Sequence, residues 1–489
     1  MTKAFGTTKH GGTLRFALDT KLMNLDPTGR ITFADFHVIS TMYDTLFEID
    51  HNMQIQPGLV ERWEIASDRS YKMFLRKNVR FHDGTLLTTE QVVWSLQYFR
   101  RVSLPIENIE VVDNHTFIIH LRYPYAPLLS QLASMAGLIL SPKKTVLQGE
   151  KGAPSDIFVG TGPFQFIERT NEGVILKRNE HYWDVDEYSL PLPYIDRIEM
   201  PYYETGSQML SQLRKGKLSL INEVPYSQVP QLADNKEIDY RGIAGNSFNG
   251  VRLNTERFPF SKKSLRQAFA YAFDREEMLQ KINLGVGFPS HGPLPPGSWA
   301  YDPSFRPYTR NPEKVKELLA EAGYPNGFEF TIYVKSQEMF EMINFMAKHL
   351  QSYGIKMNIE VKDLSEFLNA LVTRNYEAIF LGAAGGTDPD DLMYSLFHSK
   401  GSGNHTGYRN AEVDRLLEMA RNELIQERRV ELYRRAQAII VDDSPFIFTR
   451  SGLSMIAKRK NIHHVSPHPD IAIRWKRIWI NPNEKEICE

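Results

Sequence analysis

Residues 379–392 read IFLGAAGGTDPDDL. Ile379-Phe380-Leu381 closes a strand, five small residues (Gly382-Ala383-Ala384-Gly385-Gly386) follow, and Asp388-Pro389 makes a turn. A strand end without side chains leaves bare backbone that another molecule can approach closely. Downstream, a second glycine-rich loop at 401–407 carries Asn404-His405-Thr406, and two amphipathic helices run on to about Val441. Upstream, segments 328–334, 339–353 and 355–361 alternate strand, helix and strand, the unit that builds parallel sheets. A helix over 365–374 and a strand over 377–381 extend it. The small-residue loop therefore falls at the carboxyl end of a strand in an α/β sheet, where ligands collect in such folds.

Farther out, alternation over 12–19 predicts a half-buried strand, and it ends in the polar loop Thr20-Lys21-Leu22-Met23-Asn24. Thr88-Thr89-Glu90-Gln91 reads as a capping box opening a helix whose apolar face is Val93, Leu96 and Phe99. A strand over 116–121 and a helix over 127–136 follow. A strand over 248–254 leads into a helix over 265–282, and Asn311-Pro312 starts another helix that stops at Gly323. After a strand at 446–450, the C-terminal segment is aromatic (Trp475, Trp479). Joints at 245–250 and 452–465 bracket the second α/β block, and two crossings make a hinge topology.

The chain has 489 residues, more than one core usually supports. Lys+Arg number 58 against 59 Asp+Glu, a formal charge of −1 that argues against a nucleic-acid partner. The one cysteine, Cys488, rules out an internal disulfide. No apolar run reaches the roughly 20 residues of a membrane span.

Catalytic and nucleotide motifs fail on inspection. Gly216-Lys217 precedes Leu218 rather than Ser or Thr, so it is no phosphate loop. Around Ser247, GNSFNG has one residue too many for a nucleophile elbow, which leaves Asn246 and Ser247 as joint or ligand-lining residues. His463, His464 and His468, with Asp470, form the one histidine cluster. It lacks cysteine and any HExxH pattern, and solvated surface histidines are expected rather than a metal site. In HGPLPPGSWAY (291–301) the prolines fix a rigid path, and Trp299 serves either as core or as a stacking surface.

The strand-end loop, Gly11-Gly12-Thr13-Leu14-Arg15, Phe81-His82-Asp83-Gly84 and Gly160-Thr161-Gly162-Pro163-Phe164 together resemble the peptide/nickel/opine class of extracytoplasmic solute-binding proteins, family 5. The resemblance covers essentially the whole chain. It implies an α/β, two-lobed periplasmic binding protein-like fold with an extra α+β subdomain in lobe 1. The expected division is 1–42, 160–245 and 463–489 in lobe 1, 43–159 as the extra subdomain, and 246–462 as lobe 2. It also implies an exported periplasmic monomer without cofactor, enzymatic activity or metal, read here as a mature form whose leader has been removed. Such a protein captures a small solute between its lobes and presents it to the membrane permease of an ABC importer.

In peptide-binding relatives the position four before the Asp388-Pro389 proline is an aspartate that pairs with the peptide amine. Here it is Gly385, and the arginine used for the peptide carboxylate falls near Phe340-Glu341, with no cation in place. A capping hairpin is also short, at 101–107. The resemblance so corrected favours an opine-like sugar–amino-acid or sugar conjugate, held by Leu22, Met23, Asn24, Asn246, Ser247, Trp299, Gly385, Gly386, Thr387, Asn404 and His405. A peptide or nickel-chelate binder of the same class is the alternative, a hydrolase on a similar scaffold the rival from another class. A chaperone or sensor role is a third option.

Overall fold

The computed structural model describes residues 9–27, 29, 31–98, 104–142, 158–233, 235–335 and 339–482. Cys488, Phe99, the first eight residues and the start of the short 101–107 hairpin lie outside them. The chain divides into two units, Met1–Ile243 with Ser454–Glu489, and Ala244–Leu453. Two long strands, Ile238–Leu253 and Phe446–Arg459, carry the chain across the division. The second crossing comes at 453/454, within the 452–465 joint and ahead of residue 462, the expected end of the second lobe. Residues after 453 pair within the first unit: Leu220 lies opposite Lys458, Ile221 opposite Ala457, and Arg459 N–H donates to Ser219 O at 2.9 Å.

The first unit has two main apolar cores. One lies against a four-stranded sheet in which Thr13–Arg15 runs parallel to Arg197–Pro201, flanked by Gly173–Arg178 and Phe164–Arg169. Helix Phe33–Met42 and Trp475 close it over Leu14, Phe16, Leu176 and Ile198. The other gathers Leu46, Met73, Phe117 and Ile119 under an antiparallel sheet of Val60–Ser67, Ser70–Leu75, Thr116–Leu121 and Ile106–Asp113. Thr88 N–H donates to Gln91 Oε1 at 2.7 Å, half of the capping box, and helix Thr89–Tyr98 follows. Its buried face is Thr89, Val92 and Ser95, not Val93, because Ser95 Oγ exchanges hydrogen bonds with the backbone of Leu140.

Two of the sequence motifs meet here. His82 N–H donates to Gly160 O, and the His82 ring bonds Gly162 O, each at 2.9 Å. Gly160 and Gly162 lie against the end of helix Phe33–Met42, where a Cβ on Gly160 would stand 2.1 Å from Met42 O. Glycine is required there by close backbone approach.

In the second unit, Glu329–Val334 pairs in parallel with Lys356–Val361 on one side and with Ala378–Phe380 on the other. Ala378–Phe380 pairs antiparallel with Val251–Leu253. Helix Pro312–Glu321 begins as the Asn311-Pro312 signal predicts, with Lys314 N–H on Asn311 Oδ1 at 3.0 Å. The single helix expected over 265–282 is two, Lys263–Tyr271 and Arg275–Asn283, because Asp274 caps the second by accepting from Glu277 N–H at 2.8 Å.

Candidate functional site

The strand-end loop of the second unit is built on the strand Ile238–Leu253. Ser247 lies opposite Ala384 and Phe248 opposite Ala383 in antiparallel register. Gly385 N–H then donates to Asn246 O at 2.8 Å, and Asn246 Nδ2 returns a bond to Gly386 O at 2.7 Å. Asn246, Gly385 and Gly386 are thus brought together. The prolyl loop closes over them: a Cβ on Gly297 would stand 2.7 Å from Asn246 Oδ1. Pro293, Pro295 and Ser298 share with these three a cavity of about 10 Å³, near the volume one water needs. Asn246 Oδ1 is buried there with no hydrogen-bond donor among the described residues.

The acids of the loop are already engaged. Asp388 accepts from its own turn (Asp390 N–H, 2.9 Å) and from both terminal nitrogens of Arg429, at 2.7 and 2.8 Å. Arg429 also reaches Tyr433 Oη at 3.0 Å. Trp299 is half-buried in this cluster, its ring 6.0 Å from Tyr433 and 5.1 Å from the Arg429 guanidinium. Asp390 pairs with Arg421 at 2.7 Å, yet burial pushes its carboxyl above the ordinary range against that pull. Thr387 is buried beside them.

Arg252 ties the two glycine-rich loops together, donating to Leu381 O, Gly382 O and Gly403 O at 3.3, 3.0 and 3.4 Å. In the second loop, Asn404 is 4% exposed. Its amide donates to His398 O and Tyr408 O, and its carbonyl accepts from Thr406 Oγ1. A ligand reaching this amide would have to break a bond already made. His405 is half-buried, with its backbone carbonyl taken by Tyr376 Oη at 2.8 Å. Burial, with Arg252 and Arg374 nearby, lowers its ring pKa.

Arg429 and Arg252 were not legible as site residues, though a signal for the first exists. Arg429, Leu432, Tyr433 and Ala436 share the buried face of helix Gln426–Asp443, and an arginine on an apolar stripe asks for a partner.

In the first unit, the loop at Leu22, Met23 and Asn24 hangs on one carboxylate. Asp35 Oδ1 accepts from Met23 N–H and Asn24 N–H at 2.9 and 3.1 Å, while Oδ2 accepts from Thr32 N–H at 2.7 Å. Arg169 donates to Leu22 O. Leu22 is buried, Met23 is 70% exposed, and Asn24 turns its carbonyl onto Asp26 N–H.

The histidine cluster is not a set of solvated rings. His468 is buried, with one ring nitrogen 2.5 Å from Asp470 Oδ1 and the other 2.8 Å from Asp50 O. His463 stacks on Trp479 at 4.4 Å, and only His464 is exposed. Among the described residues no group of three or more His, Cys, Asp or Glu is placed to hold a metal, and no helix is long and apolar enough to cross a membrane.

This architecture has known counterparts. The family model of bacterial extracellular solute-binding proteins, family 5 (middle), matches residues 54–404. The chain belongs to that family. Heme-binding protein A of Haemophilus influenzae is 28% identical over 83% of this chain and 81% of its own length. DppA from Helicobacter pylori, an ABC transporter-associated periplasmic binding protein solved with the peptide STSA, superposes with a TM-score of 0.84 at 26% identity, covering 97% of this chain and 99% of that one. The binding protein AgaA from A. tumefacien R10, solved with agropinic acid, gives 0.82 at 25% identity over 96% and 99%. The fold is the mixed α/β fold of periplasmic binding proteins, and the chain is a substrate-binding protein of an ABC importer rather than an enzyme.

Proposed function

We propose that this protein binds an opine-like sugar–amino-acid or sugar conjugate in the periplasm and hands it to its permease. One observation carries the choice of ligand. Gly385 offers no carboxylate, Asp388 and Asp390 are buried in ion pairs with Arg429 and Arg421, and the third acid, Asp391, is turned onto the loop backbone, accepting from Gly386 N–H at 3.1 Å. A peptide's ammonium would find both buried carboxylates, Asp388 and Asp390, already neutralised, and an unpaired buried charge is costly. Beside them the loop presents neutral groups, the Asn246 carbonyl oxygen, which has no donor among the described residues, and the Ser247 hydroxyl. Such groups suit hydroxyls and amides, and the likeness to AgaA with agropinic acid supports this chemistry.

A thermal-shift screen of opines, sugars, di- and tripeptides and nickel–histidine tests the reading. At a hundredfold excess over its dissociation constant, a ligand of the native state stabilises it by about 2.7 kcal/mol. A rise with opines and none with peptides supports the assignment; a rise with peptides alone removes it.

A further inference from the structure

We propose that the second unit carries a self-complementary surface through which two copies of this chain pair about a two-fold axis, helix Leu364–Thr373 against its own copy in antiparallel sense. The inference stands apart from the ligand reading. This helix buries Phe367, Ala370 and Leu371, and Phe367 and Leu371 pack with Tyr376 and Ile379 of its own unit. Beside that face runs a second apolar row at one-turn spacing, Leu364, Leu368 and Val372, exposed by 63%, 42% and 66%, with Val361 at 49% just before it. Residues four apart line one side of a helix, so the row is continuous. A soluble surface rarely leaves such a row without an occupant.

Charge identifies the occupant. At the start of the helix stand Glu360, Lys362, Asp363 and Glu366, three acids and one base, a local sum of −2. At its end, Val372 lines an open hollow with Arg374, Arg257 and Glu256, and Arg409 lies 4.0 Å from Glu256; three arginines and one acid sum to +2. A surface that is acidic at one end, apolar in the middle and basic at the other is its own complement when reversed. In an antiparallel pair Leu364 faces Val372 of the second copy, Leu368 faces its own equivalent on the axis, and each acidic end meets an arginine end. An isologous two-fold contact has this reciprocal form. A contact of one helix pair is small, so association is expected to be weak and concentration-dependent.

Sedimentation equilibrium of the whole protein over a series reaching high micromolar concentration is the test. A monomer–dimer equilibrium is expected for the native sequence. Leu368→Glu sets two carboxylates face to face on the axis and should leave monomer at every concentration. Its melting temperature checks that the fold is kept, and a Leu368→Ser variant stands in if it is not. Arg257→Glu should weaken pairing at least tenfold, and adding Glu366→Arg should restore it, which general stickiness of an apolar row would not do. With Cys488→Ser as background, Leu368→Cys should cross-link to itself on oxidation. Monomer throughout for the native sequence overturns the proposal. So does a dimer indifferent to Leu368→Glu, or one not rescued by the charge swap.

Discussion

Asp388 and Arg429 meet in a two-point ion pair, Nη1 to Oδ2 at 2.8 Å and Nη2 to Oδ1 at 2.7 Å, with side chains only 5% and 7% exposed. The residue that reads in the sequence as a turn former is also the buried counter-ion of a helix 41 positions away. The pair fixes the turn after the strand-end loop to helix Gln426–Asp443.

Breaking it from either side leaves a buried charge alone. Asp388→Asn and Arg429→Met should each cost about 3–5 kcal/mol in urea unfolding. The double variant, with no charge left over, should cost less than the sum of the two. Strictly additive losses would mean that the two groups do not depend on each other.

Gly385 is constrained from inside its own unit. A Cβ there would stand 2.7 Å from Leu392 Cγ and 2.9 Å from Cδ1. A larger residue there overpacks this contact before it reaches any ligand. Gly385→Ala should cost about 1–3 kcal/mol, and Leu392→Ala in the same chain should return part of it. Calorimetric melting of Gly385→Ala, Leu392→Ala and the double variant decides: an unshifted Gly385→Ala would refute the contact.

His37 makes native stability fall in mild acid. Its ring is buried against Phe16 and Trp475, and burial lowers its pKa from 6.5 to about 4. Above pH 6.5 the ring is neutral folded and unfolded, and no free energy is at stake. Below it the unfolded chain takes up a proton that the native state refuses. Stability is therefore lost as pH falls from 6.5 towards 4, by about 2 kcal/mol at pH 5. His37→Gln should flatten this dependence relative to the native sequence in urea titrations at pH 7 and pH 5. Equal slopes would exclude the histidine as the source.

Much of the second unit was legible because its signals are local. The Asn311-Pro312 start, the strand–helix–strand alternation and the small-residue loop each follow from a few neighbouring residues. What escaped depends on distant partners. Nothing near Asp388 announces Arg429, and Asn404 looks available until His398 O and Tyr408 O take its amide. The break at Asp274 was missed because apolar periodicity continues through a capping residue, and within the joint at 452–465 the crossing point at 453/454 needed the pairing with Leu220 and Ile221, which assigns the second half of that strand. The histidines failed for the same reason: His468 is close to the others in sequence, but its second ring nitrogen is taken by Asp50 O, 418 positions away.

Isothermal titration of the purified protein with agropinic acid and related sugar–amino-acid conjugates beside a panel of di- and tripeptides tests the central claim most directly. The account predicts one-to-one binding of a conjugate, with peptides at least about a hundredfold weaker, as the loss of a charge-assisted contact to a buried amine requires. Peptides binding more tightly than any conjugate would contradict it.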